Sequence, residues 1–401
     1  MQYDFDRLID RRGTDSSKWQ FYEMDGANLE WPEGEGPFGE DGLLPLWVAD
    51  MDFPSPEPVV AALVERARHG LYGYTGRSHT YDAAVVGWLG RRHGWEIDPG
   101  WITNTPGVVT ALYTAVQAFT DPGERVLIQP PVYHPFTYAI ERNDRIPARV
   151  PLRYEDDRYR MDFDRLEAAA REPDVRLAIL CSPHNPVGRV WSAEELRRFG
   201  EICAANGIVV IADEVFGDLV YPGNVHTIFA TAAPGFAQNT VVCTSPSKTF
   251  NLPGLKTSNI VIPNEALRKT FNRRLERNGV LGMNAFGSAA VQAAYTHGED
   301  WLAQVLAYAG ENYRYLVAYL GEHLPAVRVV EPEGTYLVWV DFRPLGVGRQ
   351  FCRDRLMTEA RVYLDDGSLF GPEGEGFARF NIACPRGILA EALERIVRCL
   401  S

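Results

Sequence analysis

The chain has no long hydrophobic run. Its apolar stretches reach about eight residues, against the roughly 18 that a membrane-spanning helix needs. The opening MQYDFDRLIDRRGTDSSKW has neither an apolar core of signal-peptide length nor a small-residue cleavage pattern, so no secretory leader is expected. Positive charge is also scarce: 40 Lys and Arg stand against 53 Asp and Glu, a net charge of −13. That balance argues against nucleic acid and anionic membrane surfaces as partners, since phosphate recognition needs a basic face. Cysteines number six (Cys181, Cys203, Cys243, Cys352, Cys384, Cys399) and form no Cys-x-x-Cys pair. Several lie in apolar segments, which points to reduced core thiols and a cytoplasmic protein.

What is present is ordinary globular composition, 46% hydrophobic and 23% charged over 401 residues, enough for a large α/β domain with a smaller companion. From about Pro58 onward, helix-period and strand-like segments alternate. PVVAALVERARHG and YDAAVVGWLGRRHG are amphipathic and each ends at glycine. TNTPGVVTALYTAVQAF places Val108, Leu112, Val116 and Phe119 at helical spacing behind a Thr-Pro-Gly start. SAEELRRFGEICAANG opens with Ser192 and Glu195 in capping-box spacing. Between the helices lie short, nearly continuous apolar strands: RVLIQPP, RLAILCSPHNP, IVVIADEVF, TVVCTSPSK and SNIVIPN. Strands of that kind belong to a mostly parallel sheet covered on both faces. The expected organisation is a large domain over 55–298 and a smaller α+β domain over 299–401, with 1–54 as an N-terminal arm that completes the small one. Gly34, Gly36 and Gly39 spell the dinucleotide fingerprint, but no strand precedes them and acids and prolines surround them, so that reading is set aside.

In such a sheet, ligands sit at the carboxyl ends of the strands. VLIQPPVY delivers Tyr133 there, LAILCSPHN delivers Asn185, IVVIAD delivers Asp213, and TVVCTSPSK delivers Lys248. The helix near Gly107 adds free backbone N–H groups, a natural phosphate site. Taken singly, Asp213 is equally a turn residue, Lys248 a solvated loop charge, and Asn185 a turn former before proline. One cofactor wants all four. Pyridoxal phosphate needs a lysine for its imine, an acid to hold the pyridine nitrogen protonated, an aromatic face to stack on and an amide for the ring oxygen.

The stretches SPSKTFNLPGLK, SPHNPVGRVW, ADEVFGDLVY and WVADMDFPSPEPV resemble fold-type I pyridoxal-phosphate enzymes of the aminotransferase class I/II superfamily, and within it the MalY/PatB group of cystathionine β-lyase-like C–S lyases. The similarity covers nearly the whole chain. It implies the aspartate-aminotransferase-like α/β fold and assigns Lys248 as the Schiff-base lysine, Asp213 as the pyridinium partner, Asn185 as the ring-oxygen partner and Tyr133 as the stacking aromatic. It further implies that Val108 and Val109 form the backbone phosphate cup, and that Ser245 and Lys256 bind the phosphate. Tyr74 reaches a neighbouring subunit's phosphate, which makes the expected assembly a homodimer. Arg379 clamps the substrate α-carboxylate, with Arg386 as a nearby rival. One position departs: Phe216 stands where relatives carry His or Tyr, so the ring oxygen loses a donor and reaction specificity is in question. The expected reaction is β-elimination from an L-cysteine S-conjugate to a thiol, pyruvate and ammonia. An aminotransferase, or a decarboxylating or oxidising enzyme, is the alternative on the same residues.

Overall fold

The computed structural model describes residues 1–19 and 42–401, together with the backbone of the short strands Phe21–Met24 and Ala27–Glu30. Gly34, Gly36 and Gly39 lie outside the described residues.

Seven strands form the central sheet: β1 (Ile102–Thr105), β2 (Arg125–Ile128), β3 (Ile146–Arg149), β4 (Val175–Cys181), β5 (Val209–Asp213), β6 (Thr240–Thr244) and β7 (Ser258–Val261). Their spatial order is β1-β7-β6-β5-β4-β2-β3. Only β7 runs against its neighbours, pairing antiparallel with both β6 and β1. Every residue of β6 and β7 is buried, as continuous apolar strands between two helical layers must be. The capping box at Ser192 and Glu195 is formed and starts the helix Ala193–Ala205. The helix expected behind the Thr-Pro-Gly start is formed, but the residues before it, Ile102–Thr105, add an edge strand of the sheet that the sequence reading did not include. Its β-branched Ile and Thr favour the extended form, and Pro106–Gly107 breaks the chain before helix α1 (Val108–Phe119).

A second, four-stranded antiparallel sheet carries Arg328–Val329, Leu337–Asp341, Phe377–Asn381 and Asp365–Asp366 in that spatial order. The N-terminal segment joins it: Leu44–Pro45 pairs with Val362–Tyr363, and the Asn381 N–H donates to Leu46 O at 2.8 Å.

An ionic knot fastens the arm. Lys18 Nζ lies 2.6 Å from Asp52 Oδ2, both side chains buried, and Trp19 Nε1 donates to Asp52 Oδ1 at 2.6 Å. Arg11 adds bonds of 2.8 Å to both Asp50 and Asp52. Removing one partner of a buried ion pair strands the other charge, which costs about 3–5 kcal/mol. Asp52→Ala is therefore expected to lower stability by about 3 kcal/mol, the low end of that range because Asp50 stays near Lys18. The denaturant midpoint of the purified variant checks this, and an unchanged midpoint would show that the arm is not held by this pair.

Candidate active site

A cavity of about 200 Å³ opens at the carboxyl ends of β4, β5 and β6. Its walls include Tyr133, Asn185, Asp213, Phe216, Lys248 and Lys256, with Gly107, Val108 and Val109 at one end. Each arrives for a local reason. Asp213 ends β5, and Lys248 rides the single turn Pro246–Thr249 that Ser245 caps directly after β6. Asn185 follows β4 by four residues. Gly107 precedes α1 with φ 95°, a left-handed value that glycine tolerates without strain, and no side chain caps the helix. The first N–H groups of α1 therefore face the cavity end free, as an anion-binding terminus does.

Burial works on the two charged groups in opposite directions. Asp213 is pushed up to about 7, chiefly by burial, although the Val215 N–H at 3.3 Å and Lys248 pull it down. Lys248 is brought down to about 8 by burial, against the attraction of Asp50 and Asp213. Its Nζ donates to Ala49 O at 2.6 Å. Tyr133 is raised to about 12 by burial and then by Asp213, so its hydroxyl keeps its proton.

Arg379 lies beneath the same rim, buried, its guanidinium 4.9 Å above the Phe370 ring. Nη1 donates to Asn185 Oδ1 at 2.9 Å, Nη2 donates to Trp47 O at 2.8 Å and pairs with Asp365, and Nε is buried without a partner among the described residues. Arg386 sits elsewhere: its Nε donates to Asn312 at 2.6 Å and its guanidinium covers Tyr315 at 4.7 Å. It is fastened within the helical layer at the start of the last helix, Arg386–Leu400.

Ser245 does not line the cavity, contrary to expectation. Its Oγ donates to Thr257 O at 2.9 Å and accepts from the Ser247 N–H, because it serves as the cap of the lysine's turn. Ser247 and Thr257 bring the hydroxyls to the wall instead. Ser247 was not assigned from the sequence; it lies two residues from Ser245, and only the turn's geometry separates the two. Tyr74 projects fully exposed and takes no part in this chain's cavity. Phe216 is buried against Tyr336, ring centroids 5.6 Å apart at 70°. The Ala49 carbonyl and Asp365 escaped the sequence reading: a backbone oxygen has no sequence signature, and Asp365 reads as one acid of a polar turn.

The donor set fits pyridoxal phosphate. An enclosed amine and an enclosed carboxyl face one space, beside an uncapped helix terminus with a lysine and hydroxyls. A buried lysine and carboxylate placed in this way at the ends of a doubly wound sheet define a fold-type I pyridoxal-phosphate enzyme. The chain belongs to the aminotransferase class I and II family, whose model matches residues 42–396. It is 44% identical over 397 residues to cystathionine beta-lyase PatB of Bacillus subtilis, covering 99% of this chain and 100% of that one. Among solved structures it resembles cystalysin from Treponema denticola, which contains pyridoxal 5′-phosphate (TM-score 0.93, 34% identity, 100% and 99% of the two chains). It also resembles a PLP-bound C–S lyase from Staphylococcus hominis (TM-score 0.90, 33% identity, 100% and 98%).

The lowered Lys248 carries a stability signature. Its folded value lies below its unfolded one, so between about pH 8 and 10.5 the unfolded chain holds the extra proton. Stability of the cofactor-free protein should rise with pH across that window, and Lys248→Met should flatten the rise. Denaturation midpoints at stepped pH check it; equal slopes in both proteins would contradict it.

Proposed function

We propose that this chain is a pyridoxal-phosphate-dependent C–S β-lyase acting on an L-cysteine S-conjugate. The observation that carries the reading is the pair of enclosed groups, Lys248 and Asp213, at one cavity beside a buried arginine in a chain so close to known C–S lyases. Lys248 and Asp213 would hold the cofactor, with Lys256, Ser247 and the N–H groups of Val108 and Val109 at its phosphate. When bound, pyridoxal phosphate supplies the electron sink for the pair left as the substrate Cα–H bond breaks.

The rest falls to side chains of this protein. Arg379 binds the substrate carboxylate with its planar fork, held in orientation by Asn185. Lys248, with its amine free, takes the Cα proton; a base brought down to about 8 is partly neutral at physiological pH while still basic enough to accept one. Tyr133 keeps its hydroxyl protonated and covers one face of the cavity. The Cβ–S bond then breaks, the sulfur leaves as thiolate and takes up a proton, and the released 2-aminoacrylate hydrolyses to pyruvate and ammonia. Phe216 offers no donor, so the Asn185 amide serves alone among these side chains at the ring oxygen's side.

The reading also divides the chain into a large domain over 55–298 and a small one over 299–401 with the arm 1–54. The pairing of Leu44–Pro45 with Val362–Tyr363 supports the arm's membership. Tyr74, projecting clear of its own subunit, supports a homodimer in which it reaches the partner's site. Five buried free thiols suit a reducing cytoplasm.

Incubation of the holoenzyme with a panel of cysteine S-conjugates should release pyruvate and free thiol in equal amounts, read by mass. A keto acid with aminated cofactor, or released carbon dioxide or aldehyde, would place the enzyme among aminotransferases or decarboxylating or oxidative deaminating enzymes instead. Lys248→Ala should abolish both the visible absorbance and turnover, and a variant that keeps either contradicts the assignment.

A further inference from the structure

The Ala49 carbonyl receives two donors. Lys248 Nζ lies 2.6 Å away, and the Tyr336 hydroxyl lies 2.9 Å away from the other sheet. Tyr336 is buried, and burial keeps its hydroxyl protonated, so it can serve only as donor to that carbonyl. The carbonyl is fixed on either side as well: Asn381 Nδ2 donates to Val48 O and to Asp50 O, both at 2.6 Å.

The residue before Tyr336 is strained. Thr335 has φ 71°, a left-handed value that a β-branched side chain rarely takes and that surrounding contacts must enforce. Those contacts are present: the Thr335 N–H donates to Leu219 O at 2.7 Å, and its Oγ1 accepts from the Leu337 N–H at 3.1 Å. Gly334 bridges Val220, seven residues past Asp213. The small sheet thus reaches across to the cavity and presents one hydroxyl to the carbonyl that holds the lysine. Strain of this kind collects where a side chain must stand in one place.

We propose that Tyr336 is a positioning residue for proton transfer, holding the Ala49 carbonyl as the fixed acceptor that seats the Lys248 amine whenever it is free. The inference rests on Lys248 being the base, as proposed above. A seated amine is aimed once, rather than searching rotamers on each turnover, and misplacement of a reacting group lowers the chemical step more than it lowers binding. The aromatic ring is a separate matter, since Phe fills the same space against Phe216 and keeps the packing.

The test is Tyr336→Phe in the holoenzyme. The visible absorbance and melting temperature should stay, KM for the S-conjugate should change less than about twofold, and kcat should fall about tenfold, the effect of one lost hydrogen bond at the chemical step. With α-deuterated substrate the isotope effect on kcat should increase, because the proton step becomes more limiting. In crystals of the cofactor-free variant, Lys248 Nζ should leave Ala49 O or take a second rotamer. Unchanged kcat and isotope effect, with Nζ still on Ala49 O, would overturn the role of Tyr336. Borohydride reduction of the holoenzyme separates the two layers: an adduct on another lysine overturns both this inference and the base assignment. An adduct on Lys248 with unaltered Y336F kinetics overturns the inference alone.

Discussion

An ammonium and a carboxylate share one small cavity at the ends of β5 and β6, and the surrounding structure is arranged to make that tolerable. Burial, outweighing the attractions within the site, pushes Asp213 up and Lys248 down until they differ little in proton affinity. A group poised near neutrality can exchange a proton at little cost, and a solvated lysine cannot. Everything that encloses the pair therefore bears on chemistry: the buried strands behind it, the turn capped by Ser245, and the segment 48–52 laid over it. That last segment is held from three directions, by the arm's arginine and lysine, by Asn251 on Met51, and by Asn381.

Much of this was legible in the sequence because each strand end delivers one chemical type. Apolar runs mark β4, β5 and β6, and a polar residue at the end of each run or within four positions past it faces the ligand, which is how Asn185, Asp213 and Lys248 were found. The sheet's edge strand was hidden because ITNT is short and precedes a strong helical period. The exchange of roles between Ser245 and Ser247 was hidden because both are hydroxyls two residues apart, and only the capping bond decides which one turns inward. Contacts made by backbone carbonyls leave no trace in residue types, so the seat of Lys248 came from geometry alone. Arg379 and Arg386 look alike in sequence. The first ends in the cavity's shell and the second under a helix, because one lies in the strand Phe377–Asn381 and the other past its end.

Two sheets and an arm contribute to one site. The central sheet supplies the groups that would hold the cofactor, the small sheet supplies Arg379 and Tyr336, and the arm supplies the charges that steady Asp50 and Asp52. The Phe216–Tyr336 contact joins the turn after β5 to the segment leading into Leu337–Asp341, so Phe216 takes part in the packing between the two sheets.

Arg379 is already engaged before any substrate arrives, paired with Asp365 and bonded to Asn185. On the role proposed for Arg379, a substrate carboxylate meets a guanidinium that already carries an internal partner. Its net attraction is the difference between two ion pairs, smaller than either one. An amine without a carboxylate has nothing to trade and leaves the arginine closed on its own partner. Under that reading Asp365 acts as a surrogate ligand, and amino acids would be told from simple amines by competition for the guanidinium.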